Sequence, residues 1–181
     1  MKIKSILLTI SLMFSALLIS GCGKKGESWA YDYEPETEIL ALYEDGTAEF
    51  KGEKYTYTKD NTFIHLRSDS KNQDIRYAKD GESIVIYEKS TYKQPGKQED
   101  GLGGIWVADN GWSFAFGEDG KFSEENIFFG HYSVDENTSC IKLMYDDPIP
   151  DVYLYFELNG DELTIEYPWP LVGTTKASRK G

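Results

Sequence analysis

The chain has 181 residues, two cysteines, and 19 Lys+Arg against 31 Asp+Glu, for a net charge of -12. That balance argues against a nucleic-acid binder, whose phosphate contacts need clustered Lys and Arg. Two cysteines cannot build a disulfide scaffold or a Cys-rich zinc centre. Aromatic residues at 14%, 13 of them tyrosine, argue against a disordered chain.

The N-terminus comes first in chain order. Lys2 and Lys4 are followed by an apolar run from Ile6 to Ile19 and then by Ile19-Ser20-Gly21-Cys22. Positive charge, apolar stretch and small residues in that order make a secretory signal peptide, assigned to residues 1–21. The run is shorter than the roughly 20 residues of a membrane span. Small residues directly before a cysteine resemble the lipobox of bacterial lipoproteins. The resemblance implies a diacylated Cys22 as the new N-terminus, and lipid anchoring on the extracytoplasmic face of a bacterial cell membrane. Two acyl chains suffice for stable anchoring where one does not. Residues 22–28 then form a tether. Its six residues after Cys22 reach at most about 20 Å, which keeps the folded part near the membrane. Processing leaves Cys140 as the only free thiol, expected as a small buried hydrophobe.

The mature chain repeats itself. Trp29 and Trp106 lie 77 residues apart, as do Tyr55…Ile64-His65-Leu66 and Tyr132…Ile141-Lys142-Leu143. Leu42-Tyr43-Glu44-Asp45-Gly46 matches Phe116-Gly117-Glu118-Asp119-Gly120 at a spacing of 74, and Asp80-Gly81…Ile84-Val85-Ile86 matches Asn159-Gly160…Leu163-Thr164-Ile165 at 79. Four anchors in one order define a β-rich repeat over 28–93 and a second over 103–181. Residues 94–102, with Gln94-Pro95-Gly96, read as a linker.

Each half reads as seven or eight short strands. Trp112, Phe114 and Phe116 alternate with small residues, the period of a half-buried strand, and with Trp106 they are the expected core of the second half. Asp45-Gly46, Asp119-Gly120, Asp80-Gly81 and Asn159-Gly160 are hairpin signals. No window after residue 21 keeps a helical apolar period. The fold class is therefore all-β, with antiparallel meanders that close into barrels.

Gly104-Ile105-Trp106, Phe114-Ala115-Phe116…Asp119-Gly120-Lys121-Phe122, Gly130-His131-Tyr132 and Asp161-Glu162-Leu163-Thr164-Ile165 together resemble the bacterial lipocalin-like domains. The resemblance is close over 103–178 and weaker over 28–90, where Ser28-Trp29 replaces the Gly-x-Trp opening. It implies an up-and-down β-barrel, often on a lipoprotein. Two arrangements follow: a small barrel in each half, which is favoured, or one larger barrel or sandwich made by both halves.

Catalytic patterns are missing from the sequence. It holds no G-x-S-x-G, no phosphate-cradling glycine loop and no H-E-x-x-H. The two histidines, His65 and His131, are not equivalent in the repeat. His65 alternates with Ile64 and Leu66 and should face solvent. A Cys140–His131 dyad lacks a third orienting group. Charge is lopsided: 11 basic and 15 acidic residues lie in 22–93, against 6 and 16 in 94–181. Asp146, Asp147 and Asp151 could offer oxygens to calcium, but without EF-hand spacing they read as a solvated acidic loop. Neither enzymatic activity nor a cofactor is expected.

Four aromatics are the candidate contacts. In Tyr167-Pro168-Trp169-Pro170, two prolines interrupt a hydrogen-bond ladder, which would put Tyr167 and Trp169 at a strand end or rim. Tyr153 and Tyr155 share one strand face, opposite Val152, Leu154 and Phe156. The expected function is a membrane-anchored protein that binds a small apolar ligand or a protein partner through such residues. The competing expectation is an envelope interaction module with filled interiors.

Overall fold

The computed structural model describes residues 25–95 and 101–174. The expected signal peptide, residues 22–24 of the expected tether with Cys22 among them, and residues 96–100 of the expected linker lie outside them. The expected tether ends earlier than the sequence suggests: Gly26, Glu27 and Ser28 already belong to the first strand, because they pair with Tyr43, Leu42 and Ala41. Fourteen antiparallel strands and no helix make up the described residues. In the first half they are β1 (Gly26–Tyr31), β2 (Glu38–Tyr43), β3 (Thr47–Phe50), β4 (Glu53–Lys59), β5 (Phe63–Arg67), β6 (Asn72–Asp80) and β7 (Ser83–Lys93). The second half follows with β8 (Gly104–Ala108), β9 (Ser113–Phe116), β10 (Lys121–Glu124), β11 (Phe128–Asp135), β12 (Cys140–Tyr145), β13 (Val152–Asn159) and β14 (Glu162–Gly173).

The sequence anchors fall on matching strands. Trp29 lies in β1 and Trp106 in β8, Tyr55 in β4 and Tyr132 in β11, and Ile64 with Leu66 in β5 where Ile141 with Leu143 lie in β12. Even the turn chemistry repeats. The Asp45 carboxylate accepts the Thr47 amide at 2.9 Å, and the Asp119 carboxylate accepts the Lys121 amide at 3.2 Å. One expected turn is shifted by a residue. Asp80 pairs with Ser83 and Asn159 with Glu162, so the two-residue loops are Gly81-Glu82 and Gly160-Asp161. Glycine at the first loop position, with φ of 62° in both, is the arrangement of a type II′ turn.

The strands form one closed ring in chain order, pinched across the middle by a long ladder between β7 and β14. Instead of two self-contained barrels, the halves exchange their last strands. The C-terminal part of β14 closes on β1 through Trp29–Gly173, Ala30–Val172 and Tyr31–Leu171, while the end of β7 closes on β8 through Tyr92–Ala108 and Lys93–Val107. The result is a figure of eight with two lobes, each completed by a strand from the other half.

Each lobe has its own core. The first contains Trp29, Leu40, Leu42, Tyr55, Ile64, Leu66, Ile84, Ile86 and Leu171; the second contains Tyr92, Trp106, Phe114, Phe116, Phe122, Ile141, Leu143, Leu154, Leu163 and Ile165. Burying so many large side chains, at about 1.5–3 kcal/mol each, is what holds strands as short as four residues in place. Trp106 is fully buried and its indole N–H donates to the Leu102 carbonyl at 2.8 Å, which anchors the entry to β8. Trp112, expected in the same core, is instead 41% exposed, because it sits in the turn before β9, where its amide donates to the Asn110 side chain at 3.0 Å.

The prolines are the main departure from the sequence expectation. Pro168 and Pro170 sit inside β14, opposite Tyr87 and Val85, with no break in the ladder. The reason is which edge they face. The Thr174 amide donates to the Ser28 carbonyl of β1 at 2.8 Å, so even-numbered amides of β14 point away from β7. On that side β13 stops at Tyr155–Glu166 and β1 begins at Tyr31–Leu171. The missing donors of Pro168 and Pro170 therefore face a stretch with no strand beside it, and no ladder bond is lost.

Candidate ligand-binding site

Residues of β7 and β14 that are 79 apart are equivalent, and at the centre of their ladder Glu88 pairs with its own equivalent, Tyr167. The first lobe has Glu88 where the second has Tyr167, and the two lobes differ most at these positions. In both, the strand preceding the long one stops short of the centre. β6 pairs with β7 only from Arg76–Tyr87 onward, which leaves Asn72–Ile75 unpaired on that side; β13 pairs with β14 only from Tyr155–Glu166 onward. Each lobe is thus split along one side.

In the second lobe the split is filled. Tyr167 packs on the core, the Tyr145 hydroxyl donates to the Glu124 carboxylate at 2.6 Å, and the Tyr145 ring meets Phe122 and Phe128 edge-on. Glu124 is 3% exposed, and its burial raises the carboxyl pKa above the ordinary 4.5, against the hydrogen bond from Tyr145. Burial, with the hydrogen bond to Glu124, pushes the Tyr145 hydroxyl up, and burial beside Glu124 raises Tyr92 to about 12. Both hydroxyls stay protonated, and that of Tyr145 donates to Glu124.

The first lobe instead has a cavity of about 530 Å³ at its split. Phe50, Tyr55 and Ile75, each buried, line its inner side, and Lys51, Lys71, Glu88 and Lys89 its rim. The side chains around it are largely tied. The Tyr55 hydroxyl donates to Glu53 at 2.5 Å and accepts from the Gln73 amide at 2.8 Å. Glu88 accepts from the Tyr31 hydroxyl and from Lys51, both at 2.5 Å. Lys51 and Gly52 both have positive φ, the two-residue I′ turn that aims Lys51 across at Glu88. Lys71 takes part in no ion pair among the described residues. A second, more open depression of about 540 Å³ lies past Tyr55 toward Thr47, Thr56 and Arg67.

The four aromatics singled out in the sequence do not form one site. Tyr167 and Trp169 lie on the core-facing side of β14 with ring centroids 5.4 Å apart, and Trp169 also meets Tyr31 and Tyr33 edge-on at 5.8 and 6.2 Å. They fill the waist between the lobes. Tyr153 and Tyr155 lie on the opposite face of the sheet. Tyr153 is 50% exposed, near Lys142. Tyr155 is half-buried in a second cluster, where the Arg76 guanidinium stacks on it at 4.0 Å and on Phe63 at 4.8 Å. Arg76 also binds Glu166 at 2.7 Å, with Lys89 at 3.3 Å on the same carboxylate. Tyr87 meets Tyr155 edge-on. Glu166 is only 8% exposed, and this charge-and-ring cluster clamps β5, β6, β7, β13 and β14 together.

His65 faces outward as expected, between Asp74 at 2.9 Å and Asp60 at 3.4 Å, and the hydrogen bond to Asp74 raises its pKa above the ordinary 6.5. His131 stands opposite Met144 and Cys140 opposite Asp135, so the geometry does not make them a dyad. Asp151 is held by Lys142 at 2.7 Å. The residues around the first cavity were not singled out in the sequence. One sign was available: the repeat aligns Glu88-Lys89-Ser90-Thr91 with Tyr167-Pro168-Trp169-Pro170, the two most dissimilar stretches of the equivalent strands.

No protein-family model matches the chain, and no curated protein and no solved structure does either.

Proposed function

We propose that the protein is a membrane-anchored binding protein of the bacterial cell envelope, with lipocalin-like barrel lobes, attached through lipid on Cys22 and holding its ligand in the split of the first lobe. One observation carries the reading: two copies of one strand plan differ at their centre, and only one copy is plugged. Tyr167 with Tyr145 and Glu124 fills the second lobe, while the first keeps about 530 Å³ against Phe50, Tyr55 and Ile75. That volume lies in the range of small-molecule sites, roughly 300–1,000 Å³. An apolar inner side with a polar rim suits an amphipathic ligand.

The signal-peptide pattern, the cysteine that follows it and the short tether support the location. Metabolic labelling with a palmitate analogue tests the anchor, with labelling expected in the native chain and lost in Cys22→Ala. Titration with an anilinonaphthalene sulfonate fluorophore tests the cavity. One site per chain is expected, abolished by Ile75→Trp, which fills the inner side. Labelling unaffected by Cys22→Ala would refute the anchor, and fluorophore binding unaffected by Ile75→Trp would refute the cavity.

A further inference from the structure

We propose that the split in the first lobe accepts an extended peptide of a partner protein as an added strand, paired to the main chain of β7 at Lys89 and Thr91. The proposal rests on the reading of this cavity as the binding site, and names its occupant.

The main chain decides it. The Thr174 amide turns even-numbered residues of β14 toward β1 and away from β7, and paired opposite them on β7 are odd-numbered residues, Lys89 facing Glu166 and Thr91 facing Thr164, whose N–H and C=O therefore turn away from β14. Lys89 and Thr91 keep that orientation, between the last β6 pair and the first β8 pair, and no strand is paired to them there. On β6, the Tyr77 amide donates to the Thr62 carbonyl at 2.9 Å, which turns odd-numbered amides toward β5. Asn72 and Asp74 therefore face the split from its other side. Two short unpaired edges line one cavity.

The second copy shows the contrasting solution. The equivalents of Lys89 and Thr91 are Pro168 and Pro170, whose missing donors face the equivalent split. Prolines on an open edge are a standard defence against strand addition. The second lobe has that defence and a tyrosine plug; the first has two donors, an open cavity and exposed Lys89, Ser90 and Thr91. Backbone pairing of this kind gives affinity, and pockets for alternate side chains give selectivity. Phe50 and Ile75 form the apolar pocket here. Among the rim charges, Lys51 is bound by Glu88 and Lys89 by Glu166, which leaves Lys71 to meet a carboxylate on the peptide.

The test uses the full chain and a synthetic peptide of about eight residues that alternates valine and threonine and ends in aspartate. Binding should slow hydrogen exchange at the Lys89 and Thr91 amides. The double variant Lys89→Pro, Thr91→Pro copies the second lobe. It should fold, because β14 carries prolines at the equivalent positions, and should bind the peptide at least roughly tenfold more weakly. Independently of the variant, N-methylation along one edge of the peptide should abolish binding. Equal affinity for the double variant, or unchanged binding of both peptides N-methylated on one edge or the other, would overturn the proposal. So would occupancy by the fluorophore without any binding of the peptide, an outcome that leaves the cavity reading standing. Failure of both probes would remove both readings.

Discussion

Glu88 and Tyr167 occupy the same position in the two halves of the chain and lie directly opposite each other in the β7–β14 ladder. The carboxylate is bound by Tyr31 and Lys51, whereas the phenol packs against the second core. The position that borders a cavity of about 530 Å³ in the first lobe is taken by a core-packed tyrosine in the second.

Replacing Tyr167 with alanine should open the second lobe. The ring packs on the core and on Trp169, and its loss should cost about 2–4 kcal/mol, measured by denaturant unfolding. Fluorophore stoichiometry should rise from one to two per chain. A variant that is destabilised but still binds one fluorophore would show that Tyr167 is packing without being a plug.

Glu124 gives the folded protein an unusual response to pH. Burial raises its carboxyl pKa above the ordinary 4.5, so the folded state keeps a proton that the unfolded chain has released. The sign follows: stability from this group is present below about pH 4.5 and is lost as pH rises through the folded value. Tyr145, Tyr92 and Tyr167 face the carboxylate as neutral groups, and Glu125 nearby adds like charge. Glu124→Gln removes the titration and keeps an acceptor for Tyr145. Melting temperatures measured from roughly pH 4 to 8 should converge on the native protein at low pH and exceed it at high pH. A variant less stable at pH 8 would contradict this account.

Gly130 explains the Gly-x-Tyr part of the sequence pattern. A Cβ there would lie 2.1 Å from the Met144 carbonyl oxygen and 2.9 Å from the Phe122 ring, on neighbouring strands that cannot withdraw. Gly130→Ala should therefore destabilise by at least about 2 kcal/mol in chemical denaturation, well above the cost of an ordinary strand substitution. The equivalent residue in the first half is Glu53, at the start of β4, and Glu53→Ala should cost far less.

Arg76 should matter through shape as well as charge. Its Nε binds the nearly buried Glu166, and its plane lies between Phe63 and Tyr155. Arg76→Ala leaves Glu166 with Lys89 alone and should cost about 2–3 kcal/mol, discounted for the partial exposure of Arg76. Arg76→Lys keeps a charge but loses the planar stack and should recover only part of that. Equal stability of the lysine variant and the native protein would mean that the stack contributes nothing.

Much of the fold is legible in the sequence because strands obey a period of two and turns need glycine. The repeat, the buried Trp106, the outward His65 and the Gly46 and Gly120 turns all follow from such local rules, although the same alternation misplaces the exposed Trp112. The exchange of β7 and β14 does not. Alternation places Leu171 and Tyr92 on an inner face but says nothing about which half owns that face. The prolines mislead for a related reason: a lost donor disrupts a ladder only if it points at a neighbour, and whether β13 or β1 reaches that point is a tertiary fact. The candidate site was illegible because it depends on strands that stop short, and strand ends are the least determined feature of a sequence.

The most direct test of the binding reading is native mass spectrometry of the full chain, extracted from its own host in mild detergent, beside Ile75→Trp treated identically. A mass carried by the native chain beyond that of the proposed lipid anchor, and missing from Ile75→Trp, is the predicted result. A native chain with no added mass, or an addition that survives in Ile75→Trp, would contradict the assignment of the first lobe as the binding site.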